Sequence, residues 1–76
     1  MDHPVSWTER AVLVHHVAAA SRRVSGQGTL RQMVNRLAAM PIAEWRGYTI
    51  SLPDRRSMPF DYGPDDFSNL IEALDT

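Results

Sequence analysis

The sequence predicts a small α+β domain in the order α-α-β-β-α, and three observations predict it. Apolar residues recur at helical spacing over 7–24 and again over 30–37. Between Trp45 and Tyr62 the spacing changes to two. Tyr48, Ile50 and Leu52 share one face of a strand, Thr49 and Ser51 the other, and Met58, Phe60 and Tyr62 repeat the pattern. A further helical stripe of Phe67, Leu70, Ile71 and Leu74 follows Pro64.

Ser6-Trp7-Thr8-Glu9 has the form of a capping box, in which serine bonds the third helical N–H and glutamate reaches back to the cap. A helix is therefore expected to about Arg23, burying Trp7, Ala11, Val14, Val17 and Ala18. Arg22 and Arg23 would sit at the negative end of its dipole. Ser25-Gly26-Gln27-Gly28 supplies the left-handed conformations that end a helix. Thr29 caps a second helix over 29–40, with Leu30, Met33, Val34 and Leu37 inward and Arg31, Gln32, Asn35 and Arg36 outward. Pro41 stops it, because the residue before a proline is driven out of the helical region. Residues 41–45 suit one more helical turn. Gly47 then releases the chain into a hairpin that turns at Pro53-Asp54-Arg55-Arg56. Pro59 has no N–H to donate, so the second strand is expected at an edge or at a bulge. Pro64-Asp65-Asp66 opens the last helix, with carboxylates at its positive end. A lone hairpin is marginal in water, so this one must rest on helices or gain a third strand from another chain.

The 76 residues make a single domain, 1–76. A core of this size supplies only about 3–5 kcal/mol. The absence of cysteine removes disulfides and thiolate metal sites as supplements. A protein partner or self-association, a homodimer in the simplest case, is the expected supplement. The formal charge of −1 hides a segregation. Residues 1–40 carry Arg10, Arg22, Arg23, Arg31 and Arg36 against Asp2 and Glu9, whereas 41–76 carry three Arg against seven carboxylates. All eight cations are arginines, the side chain suited to planar recognition of carboxylate or phosphate. Met1 is not followed by the basic-then-apolar block of a signal peptide. The longest apolar run, 11–20, is interrupted by His15-His16 and falls short of the roughly 20 residues a bilayer needs. A cytoplasmic protein without a membrane segment is expected.

No motif carries chemistry. Serine, histidine and aspartate are present, but no nucleophile motif frames any serine. His15 and His16 are adjacent, so on a helix their side chains diverge by about 100° instead of sharing a face as two zinc ligands do. Gly26-Gln27-Gly28-Thr29 lacks the Lys-Ser/Thr ending of a phosphate loop. Asp61, Asp65 and Asp66 are accounted for by the start of a helix. The expectation is a non-catalytic regulator, adaptor or inhibitor of the kind bacteria, phages and mobile elements encode, needing no cofactor. Its protein partner would meet Trp45, Tyr48, Arg55 and Arg56, the residue types that dominate interface energetics. The alternative is a winged-helix-like DNA-binding transcriptional regulator. It would read DNA with helix 29–40 through Arg31, Gln32, Asn35 and Arg36, and use hairpin tip 54–56, with Arg55 and Arg56, as the wing.

Overall fold

The computed structural model describes residues 6–18, 21–56 and 58–74. The elements are β1 Arg10–Ala18, β2 Ser21–Thr29, α1 Leu30–Ala38, a 3₁₀ helix Ile42–Gly47, β3 Tyr48–Ser51, β4 Asp61–Tyr62 and α2 Pro64–Leu74. The four strands form one antiparallel sheet in the order β2-β1-β3-β4. The domain is a small α+β fold, but the expected order α-α-β-β-α is wrong. The segment expected to be a first helix, together with its glycine turn, is a β-hairpin.

Residues 10–18 satisfy both periods at once, because nearly every position between Ala11 and Ala18 is apolar or histidine. Val12, Val14 and Val17 tip the balance. Branching at Cβ restricts side-chain freedom in a helix and suits a pleated surface. The extended form also gives the backbone of this segment a partner on each side. β1 pairs with β2 from Arg10↔Thr29 to Ala18↔Ser21, and with β3 from Val12↔Ser51 to His15↔Tyr48. The supposed capping box at Ser6 is instead a turn, in which Glu9 N donates to Ser6 O at 3.2 Å. Ala19 and Ala20 of the expected helix lie outside the described residues, as does Asp2.

The glycines of β2 serve the strand and its junction with α1. The β1–β2 register skips Ser25, a bulge, and skips Val17 nearer the tip. Arg36 Nη1 donates to the carbonyl of Ser25 at 3.0 Å. Its guanidinium occupies the space over Gly26, where a Cβ would approach it to 2.9 Å. Gly28 has φ +154°, and a Cβ there would run into Gln32 Oε1. Gln32 needs that position because it completes a capping box with Thr29. Thr29 N donates to Gln32 Oε1 at 2.9 Å, and Gln32 N donates to Thr29 Oγ1 at 3.2 Å.

From Thr29 onward the expected elements are present. α1 buries Leu30, Met33, Val34 and Leu37 and ends before Pro41. The residues after Pro41 form the 3₁₀ helix, which swings Trp45 inward. Trp45 Nε1 donates to Leu37 O at 2.9 Å, and its ring meets Phe67 edge-on at 5.9 Å. α2 buries Phe67 and Leu70 and half-buries Ile71 and Leu74. The hairpin of β3 and β4 exists, with Ile50↔Tyr62 and Ser51↔Asp61 paired. Its second strand is only two residues long, and Met58 and Phe60 are 81% and 51% exposed, against the expected inward alternation. Pro59, joined by a cis peptide bond, cannot donate to a ladder. The third strand comes from the same chain as β1.

The core gathers Ala11 and Leu13 from β1, Ile50 and Leu52 from the β3 side, and the buried residues of α1, α2 and the 3₁₀ helix. Both helices therefore lie on one side of the sheet. No helix among the described residues is long and apolar enough to cross a membrane.

Two substitutions test this packing. Phe67→Ala is expected to remove about 3–5 kcal/mol, which is as much as a core of this size supplies, and so to abolish cooperative urea unfolding. Gly28→Ala is expected to cost more than about 1 kcal/mol, through loss of the Thr29–Gln32 cap and backbone strain, read as a lowered urea midpoint.

Candidate interaction surface

Alternation along β1 fixes what the helix-free side of the sheet presents. Ala11 and Leu13 are buried beneath the helices, so Val12, Val14 and His16 point the other way. The registers place Gln27 and Ser51 beside Val12, and Val24 and Thr49 beside Val14. Val24 is 60% exposed. His16 Nε2 and Thr49 Oγ1 are hydrogen-bonded at 2.8 Å across the strands. The open face thus has a centre of three valines, bordered by Arg10, Arg22, His16, Gln27, Thr49 and Ser51.

The two histidines are separated by the sheet. His15, on the helix side, stacks on Tyr48 with ring centroids 4.5 Å apart and planes 12° from parallel. Gly47 lies beside that ring, and a Cβ there would stand 3.4 Å from it, an ordinary contact. Among the described residues no group of three His, Cys, Asp or Glu side chains converges as metal ligands would.

A second polar cluster ties the start of β1 to the loop before β4. Arg55 grips Glu9 with two bonds, Nε to Oε1 at 3.2 Å and Nη2 to Oε2 at 2.7 Å. Its Nη1 donates to the carbonyl of Pro59 at 2.9 Å and to Tyr62 Oη at 3.3 Å, while the guanidinium lies 5.5 Å from the Tyr62 ring centroid. The hydrogen bond to Glu9 is the main reason the Arg55 pKa is raised above its ordinary value, with burial opposing it.

The residues expected to meet a partner are mostly used internally. Of Trp45, Tyr48, Arg55 and Arg56, only Arg56 is exposed. Trp45 belongs to the core, Tyr48 is half-buried against His15, and Arg55 holds Glu9. The outward residues of α1 are all exposed, yet Gln32 completes the helix cap and Arg36 holds the bulge carbonyl. Arg31 and Asn35 remain, one turn apart. The helix-turn-helix that would offer α1 to a DNA groove is not there, because a β-strand precedes α1. Arg55 turns inward where a wing would need it outward.

Comparison with protein-family models, with curated proteins and with solved structures gives no match.

A shallow notch of about 320 Å³ lies between the 3₁₀ helix and the start of α2, lined by Ile42, Trp45, Arg46, Pro64, Asp65 and Ser68. It is small and open for a site that must enclose a ligand. The open sheet face is hidden in the sequence because 10–18 fits a helix as well as a strand. The usable signal was the density of valine at 12, 14, 17 and 24.

The Glu9–Arg55 fork is testable through stability. Glu9→Gln or Arg55→Met is expected to cost about 1–3 kcal/mol, because each leaves a part-buried charged group short of its partner. A raised arginine pKa contributes stability that is present below the ordinary arginine range and is lost only as pH rises through the raised value. The gap between wild type and Arg55→Met in urea midpoint should therefore stay flat from about pH 6 to 9.

Proposed function

We propose that this chain is a non-catalytic, protein-binding regulator, adaptor or inhibitor acting in the cytoplasm through the open face of its sheet. The observation that carries the reading is the valine centre of that face, Val12, Val14 and Val24, on the side opposite both helices. An apolar centre within a polar border is the usual anatomy of a protein interface. A sheet with helices on one side only can bury its second face by packing against another layer. The small core supports the same reading, since a partner adds the apolar burial that about 76 residues alone provide sparingly. A second copy of the chain is the simplest occupant, and would make a two-sheet sandwich with the helices outside. A different protein would use the same residues.

Val14→Glu combined with Val24→Glu tests the proposal. Both side chains lie on the open face, so the circular dichroism spectrum should be retained. Sedimentation is expected to show wild-type self-association at micromolar concentration, or affinity capture a specific host protein, and either is expected to vanish in the double variant. A monomeric wild type that captures the same proteins as the double variant would refute the reading.

A further inference from the structure

The open face carries opposite charges on its two outer strands. Asp61 on β4 is the register partner of Ser51, which alternates with the buried Ile50 and Leu52. Asp61 therefore stands on the side away from the helices. Arg22 on β2 is the register partner of His16, whose ring meets Thr49 on that same side. β2 and β4 are the outermost strands of the sheet. Arg22 and Asp61 are both exposed, and among the described residues neither is in an ion pair. One face thus presents a valine centre, a cation beyond one corner and an anion beyond another.

The registers fix where these groups lie relative to one another. Neighbouring strands are about 4.8 Å apart, and alternate residues along one strand about 6.8 Å apart. Val12 and Val14 are consecutive open-face residues of β1, and Val24 lies beside Val14 on β2. Arg22 is one open-face position beyond Val24. Asp61 is level with Val12 and two strands away, across β3. On this grid Arg22 is about 10 Å from the middle of the valine triangle, and Asp61 about 12 Å. Arg22 lies along the strands from that point and Asp61 across them. A two-fold axis running diagonally over the face, at about 45° to the strands, exchanges the two positions.

We infer that two copies of the chain join through this face about that diagonal axis, with their strands crossing at about a right angle. The inference rests on the open-face reading and adds to it the occupant and the orientation. Orthogonal crossing is one of the two ways in which sheets pack face to face. The rotation sets Val14 against the partner's Val14, and Val24 against the partner's Val12. Arg22 then faces the partner's Asp61, and symmetry makes that pair twice. The other axes that keep the valines together do not match the charges. An axis along the strands carries the partner's Asp61 past the β2 edge, out of reach of Arg22. An axis across the strands brings Arg22 against the partner's Arg10, since Arg10 alternates with the buried Ala11 and shares the open face. Only the diagonal places apolar on apolar and cation on anion, the complementarity that fixes the orientation of an interface.

Charge reversal followed by sedimentation equilibrium tests the arrangement. Arg22→Asp and Asp61→Arg are each expected to weaken self-association at least about tenfold, and the two combined in one chain to restore it to within about threefold of wild type. Restoration also shows that neither reversal acts by unfolding the chain. Arg10→Asp, outside the contact, should change the association less than about threefold. The chain has no cysteine, so introduced thiols report distance without background. Arg22→Cys and Asp61→Cys are each expected to stay unlinked alone, because each position lies roughly 20 Å from its own counterpart. Mixed together, the two variants should join through a short thiol–thiol cross-linker. A dimer that Val14→Glu breaks but the charge reversals leave intact would overturn this orientation and keep the open face as the interface, as would Arg22→Cys linking to itself. A monomeric wild type that captures a host protein through Val14 and Val24 would overturn the second copy as occupant and keep the open-face reading. A monomeric wild type with no valine-dependent partner would remove both.

Discussion

The fold depends on β1 having a hydrogen-bonded neighbour along both of its edges. β2 lies on one side and β3 on the other, so this strand is interior to the sheet and the rest of the chain is placed by reference to it. Its alternate residues Ala11 and Leu13 belong to the core that α1 and α2 cover. Glu9, immediately before it, holds the loop ahead of β4 through Arg55. His15, near its other end, closes the core margin by stacking on Tyr48. Only every second residue of a strand can face one layer. β1 therefore gives two residues to the core and leaves Val12 and Val14 on the opposite face.

The later half of the chain was readable because each of its signals has one interpretation. Apart from Ala38, the helix is polar outside its Leu30, Met33, Val34 and Leu37 stripe, and Thr29 with Gln32 marks its start. Tyr48, Ile50 and Leu52 alternate against Thr49 and Ser51, which no helix would do. The first half was misread because β1 is apolar on both faces. With no polar residue at alternate positions, its run fits a buried strand as well as one face of a helix. Serine and glutamate at the spacing of a capping box then reinforced the wrong choice, although they form a turn. The candidate site suffered from a different limit. Arg55 and Glu9 are 46 residues apart in sequence, and nothing local indicates that this arginine is already engaged. Trp45 is of the residue type that anchors interfaces, yet its indole N–H is satisfied by Leu37 O inside the core.

Charge is the feature that passed unchanged from sequence to structure. The arginines of the first half fall on β1, β2 and α1, and the described carboxylates other than Glu9 fall on the elements after Ala43, with β2 and β4 the outermost strands. The lateral polarity is thus a property of topology as much as of composition. It acts over a Debye length of about 8 Å at physiological salt, enough to orient an approaching partner and too short to bind one by itself.

The bulge at Ser25 bears on how this sheet can grow. β2 is nine residues long and outermost, which ordinarily offers a row of unpaired peptide groups to any extended chain. Here the row is broken near its middle by an extra residue, and the Ser25 carbonyl is already taken by Arg36. At the far edge β4 offers two residues, directly after Pro59 and Phe60. Neither margin is a good template for a further strand. Ribbon-like stacking of one sheet beside the next, the usual route from an exposed edge to fibrils, is thereby obstructed at both ends. Association is left to the broad surfaces of the molecule, where geometry can limit the number of copies that join.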